Sequence, residues 1–295
     1  VKYVLAGSSG FLGKALARDL LAGGHQVVRL VRREPSQPSE VRWDPARGQL
    51  DPSALENADV LINLAGANIG RPWTPKYRNA IRESRVSTTA TLAEAATRLE
   101  RPPVFMSQSG IGGYGKDCGD QILTEESELG DGFLAEVVRV WEGAADPARE
   151  AGCRVIALRT GVVLDRSAPA FQLLSLPFRV GFGGRLGSGK QYFPVVSLAD
   201  WLGAVRHCAE NDQVSGPVNV TLPEPTTNQE FTKALGAALH RPTLLPVPSF
   251  VLTTVLGEFA WELIGSKRAL PNALLSSSYT FKHPTAETAL QSALA

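Results

Sequence analysis

The chain has 295 residues, 43% hydrophobic and 20% charged, with a formal net charge of +1 at pH 7. That is enough for one large α/β domain with an added lobe, and so even a balance excludes a strongly basic nucleic-acid or membrane-surface binder. No stretch approaches the ~20 uninterrupted apolar residues of a transmembrane helix, and the opening VKYVLAG lacks signal-peptide architecture. Three scattered cysteines (Cys118, Cys153, Cys208) form no disulfide framework, so a reducing, cytoplasmic setting is expected. His207-Cys208 lacks the spaced partners of a zinc site, so no metal is expected.

VKYVLA reads as a short apolar strand, GSSGFLG as a turn, and KALARDLLA (14–22) as a helix closed by Gly23 and Gly24. HQVVRLVRR alternates as a second strand and VRWD is a short third. DPSALEN leads into ADVLINLAG, a near-continuous apolar run of the kind found in parallel strands buried on both faces. A long helix is predicted within 76–99, a strand at PPVFMSQSG, a helix at DGFLAEVVRVWEGAA (131–145), and a buried strand at CRVIALRTGVVL. This alternation predicts an α/β fold built on a doubly wound parallel sheet of Rossmann type. After Leu164 the rhythm breaks. The Gly- and Pro-rich SAPAFQLLSLPFRVGFGGRLGSGKQYF reads as loop with a short helix, VVSLADWLGAVRHCAEN as helix, and GPVNVTLP as one more sheet strand. From Thr226 on the chain is mainly helical. The expected organisation is a cofactor-binding domain over 1–165, completed by about 195–223, and a smaller interleaved C-terminal lobe from 166–194 and 224–295 for substrate.

Gly7-Ser8-Ser9-Gly10-Phe11-Leu12-Gly13 is GxxGxxG between the first strand and the first helix. Small residues there let the backbone approach a pyrophosphate at the helix N-terminus, where free N–H groups and the macrodipole favour negative charge. A lone glycine pattern is weak, but strand–turn–helix context at the first βα unit strengthens it. The second strand ends in Arg32-Arg33-Glu34, where an NAD site places an acid for the ribose 2′-OH. Two arginines suit a 2′-phosphate through charge-assisted bonds. The alternative makes Glu34 that acid and leaves the arginines solvated. The first reading is favoured, so the expected cofactor is NADP(H).

With GSSGFLG come NLAG (63–66), SQSGIGGYG (107–115), FLAEVVRVWE, LRTGVVL, GSGKQ and Asp200-Trp201, in that order. This ordered set resembles the extended short-chain dehydrogenase/reductases, and among them the sugar-nucleotide epimerase-like family, some of whose members carry an old cell-division-inhibitor label. Asp200-Trp201 departs from the family's D-L. The resemblance implies that Leu64, Ala65 and Gly66 run along the cofactor and that Ser109 holds the catalytic-serine position. It also implies that the GSGKQ loop faces the substrate, with Arg185, Lys190 and Gln191 contacting phosphate or hydroxyl groups. Independently, Ser107 and Ser109 end a predicted parallel strand, the edge at which open α/β sheets bind ligands.

Such enzymes carry Tyr-x-x-x-Lys on the helix at 131–145: the tyrosine transfers a proton while lysine one turn later lowers its pKa. Aligned through Glu142, those positions hold Leu134 and Val138, and no tyrosine in the chain has a lysine four residues downstream. Either the usual chemistry is gone, or Tyr114, in the glycine-rich loop beyond Ser109, takes over the proton transfer with Lys116 or Lys190 as supporting charge. The rival for Tyr114 is a pocket wall. Arg82 and Arg85, on the preceding helix, reach phosphates or lie on a solvated face. Asp200 reads as a helix N-terminal cap or dipole partner. Gly184 to Lys190 spells GxxxxGK, but Gln191 stands where a P-loop needs Ser or Thr. Two functions remain: an NADP(H)-dependent oxidoreductase or epimerase-like enzyme of a small polar substrate, with nucleotide sugars suggested by the resemblance, or a non-catalytic NADP(H)-binding redox sensor. Neither calls for a nucleic-acid or membrane partner.

Overall fold

A computed structural model describes all 295 residues. Strand β1 (Lys2–Ala6) leads through the glycine turn into α1 (Phe11–Ala22), followed by β2 (Gln26–Val31) and the short β3 (Glu40–Arg42). The chain then crosses back to β4 (Val60–Asn63), α2 (Pro75–Ala96) and β5 (Val104–Gly110). Thr74 caps α2 by accepting from the Tyr77 amide, and Pro75 follows at the first helical position, where a missing N–H costs nothing. Next come β6 (Ile122–Leu123), α3 (Phe133–Gly143), α4 (Asp146–Glu150), β7 (Arg154–Thr160), β8 (Val162–Leu164), α5 (Pro169–Arg179), β9 (Val195–Ser197), α6 (Leu198–Glu210) and β10 (Gly216–Val220). The C-terminal part holds α7 (Asn228–Leu239), α8 (Ser249–Leu256), α9 (Trp261–Ile264), β11 (Arg268–Ala269), α10 (Asn272–Ser276) and α11 (Ala286–Leu294). No helix is long and apolar enough to cross a membrane.

Seven strands form one sheet in the order β10-β7-β5-β4-β1-β2-β3, every pairing parallel. Each strand alternates its side chains between two apolar layers. Tyr3, Leu5, Ile62, Met106 and Leu158 pack with Leu16, Leu20 and Trp201 on one face. Val4, Leu61, Phe105 and Val155 pack with Trp43, Leu92 and Ala96 on the other. Burial on both faces explains the continuous apolar runs in the sequence. The strand order reverses between β1 and β4, so the crevice where such sheets take ligands opens at the C-terminal ends of those two strands, at Gly7 and Leu64.

Two elements differ from the sequence expectation. CRVIALRTGVVL is not one strand: β7 stops at Thr160, and β8 leaves the sheet to pair with β9. Gly161 makes the break, passing so close to Pro194 that a Cβ would lie 2.6 Å from its carbonyl oxygen. The pairing of β6 with β11 ties the loop after β5 to the C-terminal segment; both are two-residue strands, too short to read as periodicity. A third apolar cluster, with Phe171, Phe193, Phe231, Leu235 and Leu290, joins α5, α7 and α11 beside the main sheet.

Of the two roles expected for Asp200, the cap of α6 falls to Ser197, and Asp200 is the acid of the helix's first turn, fully buried. Its carboxylate accepts from Ser197 Oγ (2.7 Å) and from the backbone amides of Lys282 (2.6 Å) and His283 (3.0 Å), fastening the approach to α11. Asp200→Ala leaves these donors buried without an acceptor, and the expected loss is about 3 kcal/mol or more. A fall in the urea midpoint at unchanged slope is the measurement that checks it.

Candidate functional site

The glycine turn lies at the reversal point of the sheet. Gly7 has φ +80°, and a Cβ there would come within 2.6 Å of the Leu64 backbone. A Cβ on Gly13 would collide with the Gly7 carbonyl oxygen. Gly10 differs: the nearest atom to its Cβ position is Gly7 O at 3.4 Å, and Ser9 and Gly10 are exposed. No side chain caps α1 and its first turn holds no acid, so the positive end of the helix faces open space. Phe11 and Leu12 are half-buried against the first apolar cluster and fix the start of the helix.

Beyond β2 the structure separates the two arginines. Arg33 makes a bidentate pair with Glu40 (2.6 and 2.9 Å), whose carboxylate also accepts from the Ser36 amide at 2.7 Å. The Arg33 hydrogen bonds, then the Ser36 amide, hold the Glu40 carboxyl down at about 2. Glu34 turns to Arg42. Arg32 is exposed and has neither an ion pair nor a hydrogen bond, so of the two it is the one left unengaged.

Across the crevice, buried Asn63 donates to Thr88 Oγ1 (3.1 Å) and Thr89 Oγ1 (2.8 Å) and accepts from the Ala65 amide (3.1 Å). This holds Leu64, Ala65 and Gly66 as a shelf beside the glycine turn. Arg85 lies under that shelf, donating to the carbonyls of Ala67 and Ile81 (both 3.1 Å) and stacked 4.9 Å over Trp141. Burial lowers its pKa to about 10. Arg82 instead points to solvent.

At the ends of β5 and β7 sits a buried charged network. Arg159 Nε and Nη2 bind both oxygens of Glu142 (2.9 and 2.8 Å), and Ser109 Oγ donates to the same carboxylate (2.7 Å). Burial pulls the Arg159 pKa down, but hydrogen bonds and charge from Glu142 outweigh it and leave the guanidinium above its ordinary value. Arg159 Nη1 donates to Tyr114 Oη at 3.1 Å, and its guanidinium carbon lies 5.2 Å from the ring centroid. The phenol has Thr124 O and Asn219 Oδ1 as acceptors, each at 2.8 Å.

Tyr114 is 4% exposed, and burial raises its pKa although Arg159 opposes the rise. The hydroxyl is thus enclosed by protein partners, with no open side for a substrate. Neither lysine supports it: Lys116 pairs with Glu258 (2.9 Å), and Lys190 is exposed on the 184–191 loop. The positive charge beside the phenol is Arg159. Leu134 and Val138, at the tyrosine and lysine positions of the resemblance, pack on the glycine loop. Cβ atoms on Gly112 and Gly113 would lie 2.9 Å from Leu134 Cδ1 and 2.7 Å from Val138 Cγ1.

On the 184–191 loop, Arg185 is exposed and donates to Ser188 O (2.9 Å). Gln191 is buried and donates to Leu186 O (2.8 Å), so its amide closes the loop on itself. No cluster of His, Cys, Asp and Glu converges to hold a metal. The residues that sequence reasoning missed are Arg159 and Asn219. Arg159 left a signal, a charge inside an apolar strand, whereas Asn219 left none.

The comparisons with known proteins agree with this architecture. The NAD dependent epimerase/dehydratase family model matches residues 3–139, and a domain of unknown function (DUF1731) matches 247–293. An epimerase family protein of Mycobacterium leprae is 41% identical over 97% of this chain and 93% of its own. The chain belongs to the epimerase family. Within that family, SDR39U1 of Mus musculus is 36% identical, with all of both chains covered. The crystal structure of human SDR39U1 with NADPH superposes with a TM-score of 0.89 at 34% identity, covering 99% of each chain.

In this epimerase-family chain Tyr114→Phe removes the donor to Asn219 and Thr124 and the acceptor of Arg159. The expected cost is about 1–3 kcal/mol of stability with cofactor affinity unchanged. Denaturant unfolding beside a nucleotide titration reads both.

Proposed function

We propose that the protein is a cytoplasmic NADP(H)-dependent oxidoreductase or epimerase-like enzyme acting on a small polar substrate, without a Tyr-x-x-x-Lys pair. The observation that carries the cofactor reading is the contrast at the end of β2. A 2′-hydroxyl calls for a free carboxylate there, yet Glu34 and Glu40 are engaged by Arg42 and Arg33, while Arg32 is free for a 2′-phosphate. The NADPH in the human relative's structure supports the same choice.

The residues present fit the group. Gly7, Ser9, Gly10, Phe11, Leu12 and Gly13 offer the uncapped start of α1 to a pyrophosphate. Leu64, Ala65 and Gly66 line the adenosine side, and Arg33 acts indirectly by withdrawing Glu40. Gln108 Oε1, near the end of β5, is buried without a donor and suits a hydroxyl of cofactor or substrate. When bound, the nicotinamide supplies or takes up a hydride. Ser109 orients its hydroxyl by its bond to Glu142 and presents its lone pairs to the substrate. Arg185 and Lys190 supply free positive charge for phosphate groups, which keeps nucleotide sugars as the leading substrate class.

A specific observation favours a second reading, a non-catalytic NADP(H)-binding sensor: the hydroxyls of both Ser109 and Tyr114 are committed to protein partners. Mass spectrometry of metabolites released by denaturation, followed by turnover assays on any co-released compound, separates the two readings.

For the cofactor, Arg32→Ala is expected to weaken NADPH binding at least tenfold and leave NADH nearly unchanged, with Arg33→Ala the milder variant. Equal losses for both nucleotides would sink the 2′-phosphate assignment.

A further inference from the structure

The cleft beside Leu134 is walled by Trp73, Phe133 and Trp261 and contains the carboxylates of Glu258 and Glu262. Glu262 comes from α9, within the C-terminal segment that matches a domain of unknown function. The Cβ position of Gly112 lies 2.9 Å from Leu134 Cδ1 and 3.2 Å from Glu262 Oε2. The Glu262 carboxylate therefore lies beside Leu134, the residue at the tyrosine position of the resemblance.

Behind it, Lys267 Nζ lies 3.4 Å from Glu262 Oε1 and 3.5 Å from the carbonyls of Lys116 and Trp261. Lys267 is 3% exposed, whereas the Glu262 side chain keeps 22% of its surface open. Lysine is almost never buried this deeply, and its only carboxylate partner here is at long range. The backbone is firmly placed: Ser266 Oγ donates to Gly119 O at 2.5 Å, the Ser266 amide to Asp117 Oδ1 at 3.0 Å, and β11 pairs with β6. Of the other carboxylates nearby, Asp131 is exposed to solvent and the remaining two are engaged. Glu142 holds Arg159 and Ser109, and Glu258 holds Arg78 and Lys116.

We propose that Glu262 is the proton-transferring residue of this site, facing the nicotinamide end of the cofactor, and that Lys267 is its positioning residue. Together they take over from the missing tyrosine and lysine. The inference rests on the NADP(H) reading above. In the oxidising direction a substrate alcohol gives its O–H proton to the Glu262 carboxylate while its C–H hydride goes to the oxidised nicotinamide, and the O–H bond pair becomes the carbonyl π bond. In reduction the carbonyl carbon receives the hydride from the reduced nicotinamide, and the oxygen takes the proton from the Glu262 carboxylic acid. The charged groups around Glu262 are Lys267, Lys116, Asp131 and Glu258, the last tied to Arg78 of α2.

The first test needs no turnover. Glu262 is activated with a carbodiimide and read by peptide mass spectrometry as its glycine ethyl ester or its amide to Lys267. NADPH is compared with adenosine 2′,5′-bisphosphate, which lacks the nicotinamide half, and thermal shift verifies the binding of each. Saturating NADPH is expected to cut modification at least fivefold, and the bisphosphate to leave it unchanged. Equal protection by both, or protection by neither while both bind, overturns the proposal. Failure of NADPH to bind at all brings down the cofactor reading instead, and this inference with it.

The second test follows NADPH oxidation with 9,10-phenanthrenequinone, a dicarbonyl probe suited to the aromatic walls. Glu262→Gln is expected to lower the rate about a hundredfold with NADPH affinity within about twofold. Lys267→Met is expected to lower kcat about tenfold with KM for the quinone nearly unchanged, whereas Lys267→Arg, which keeps a cation beside the Glu262 carboxylate, restores most of the rate. If Glu262→Gln loses stability, the double variant with Lys267→Met removes both buried charges and restores the fold without restoring the rate. Indistinguishable rates for wild type and Glu262→Gln overturn the catalytic role.

Discussion

The bidentate pair between Glu142 and Arg159 joins α3 to β7 with side chains 17% and 6% exposed. Two charges this far from water are tolerable only when every donor and acceptor finds a partner in good geometry. That demand organises the surroundings. Ser109 supplies a further donor to Glu142, and Tyr114 accepts a third N–H from Arg159. Tyr114 needs an acceptor in turn, which draws in Asn219 on β10. Asn219 passes the constraint on by donating to Leu270 O (2.9 Å), and its own amide donates to Glu125, which also holds the Ala273 amide. One ion pair thus sets the positions of strand ends, a loop and the C-terminal segment. Substituting one member leaves a charge unpaired and disturbs all of these at once.

The same network explains why the glycine loop looks catalytic in sequence and structural in space. A tyrosine five residues past a strand-end serine is a natural acid–base candidate until Arg159 and Asn219 enclose it. Leu134 and Val138 complete the exclusion from the other side. Their side chains fill the room above Gly112 and Gly113, so α3 packs at glycine distance from the loop. The room left by the two glycines is thus taken up from α3 by two apolar side chains, neither able to move a proton.

How much could be read from the sequence follows from the range of the interactions. The parallel sheet was legible because burial on both faces writes continuous apolar runs, and the turn at Gly7 to Gly13 because it needs small residues at fixed spacing. The break at Gly161 was not, since it depends on Pro194 approaching from a distant segment. Arg32 and Arg33 are neighbours with opposite fates because Glu40 folds back onto only one of them. Gln191 looked like a ligand contact, but its amide serves the loop that carries it. Asp200 was legible as an acid at a helix start, while its partners at Lys282 and His283 lie some eighty residues away.

The distribution of charge also restricts how a ligand can lie. Inside the cleft every cation is already matched, Lys116 and Arg78 by Glu258 and Lys267 by Glu262. An anionic group pushed in there would meet carboxylates and break pairs whose cost of separation rises with burial. Free positive charge lies elsewhere, at Arg32 and on the loop bearing Arg185 and Lys190. That loop packs on α9 through Gln191 Nε2 and Leu263 O at 3.4 Å, so the matched and unmatched charges meet along one helix. On the function proposed above, an anionic substrate is held by its charged end on the loop, and the end that enters between Trp73, Phe133 and Trp261 carries no negative charge, since the cleft holds no unmatched cation.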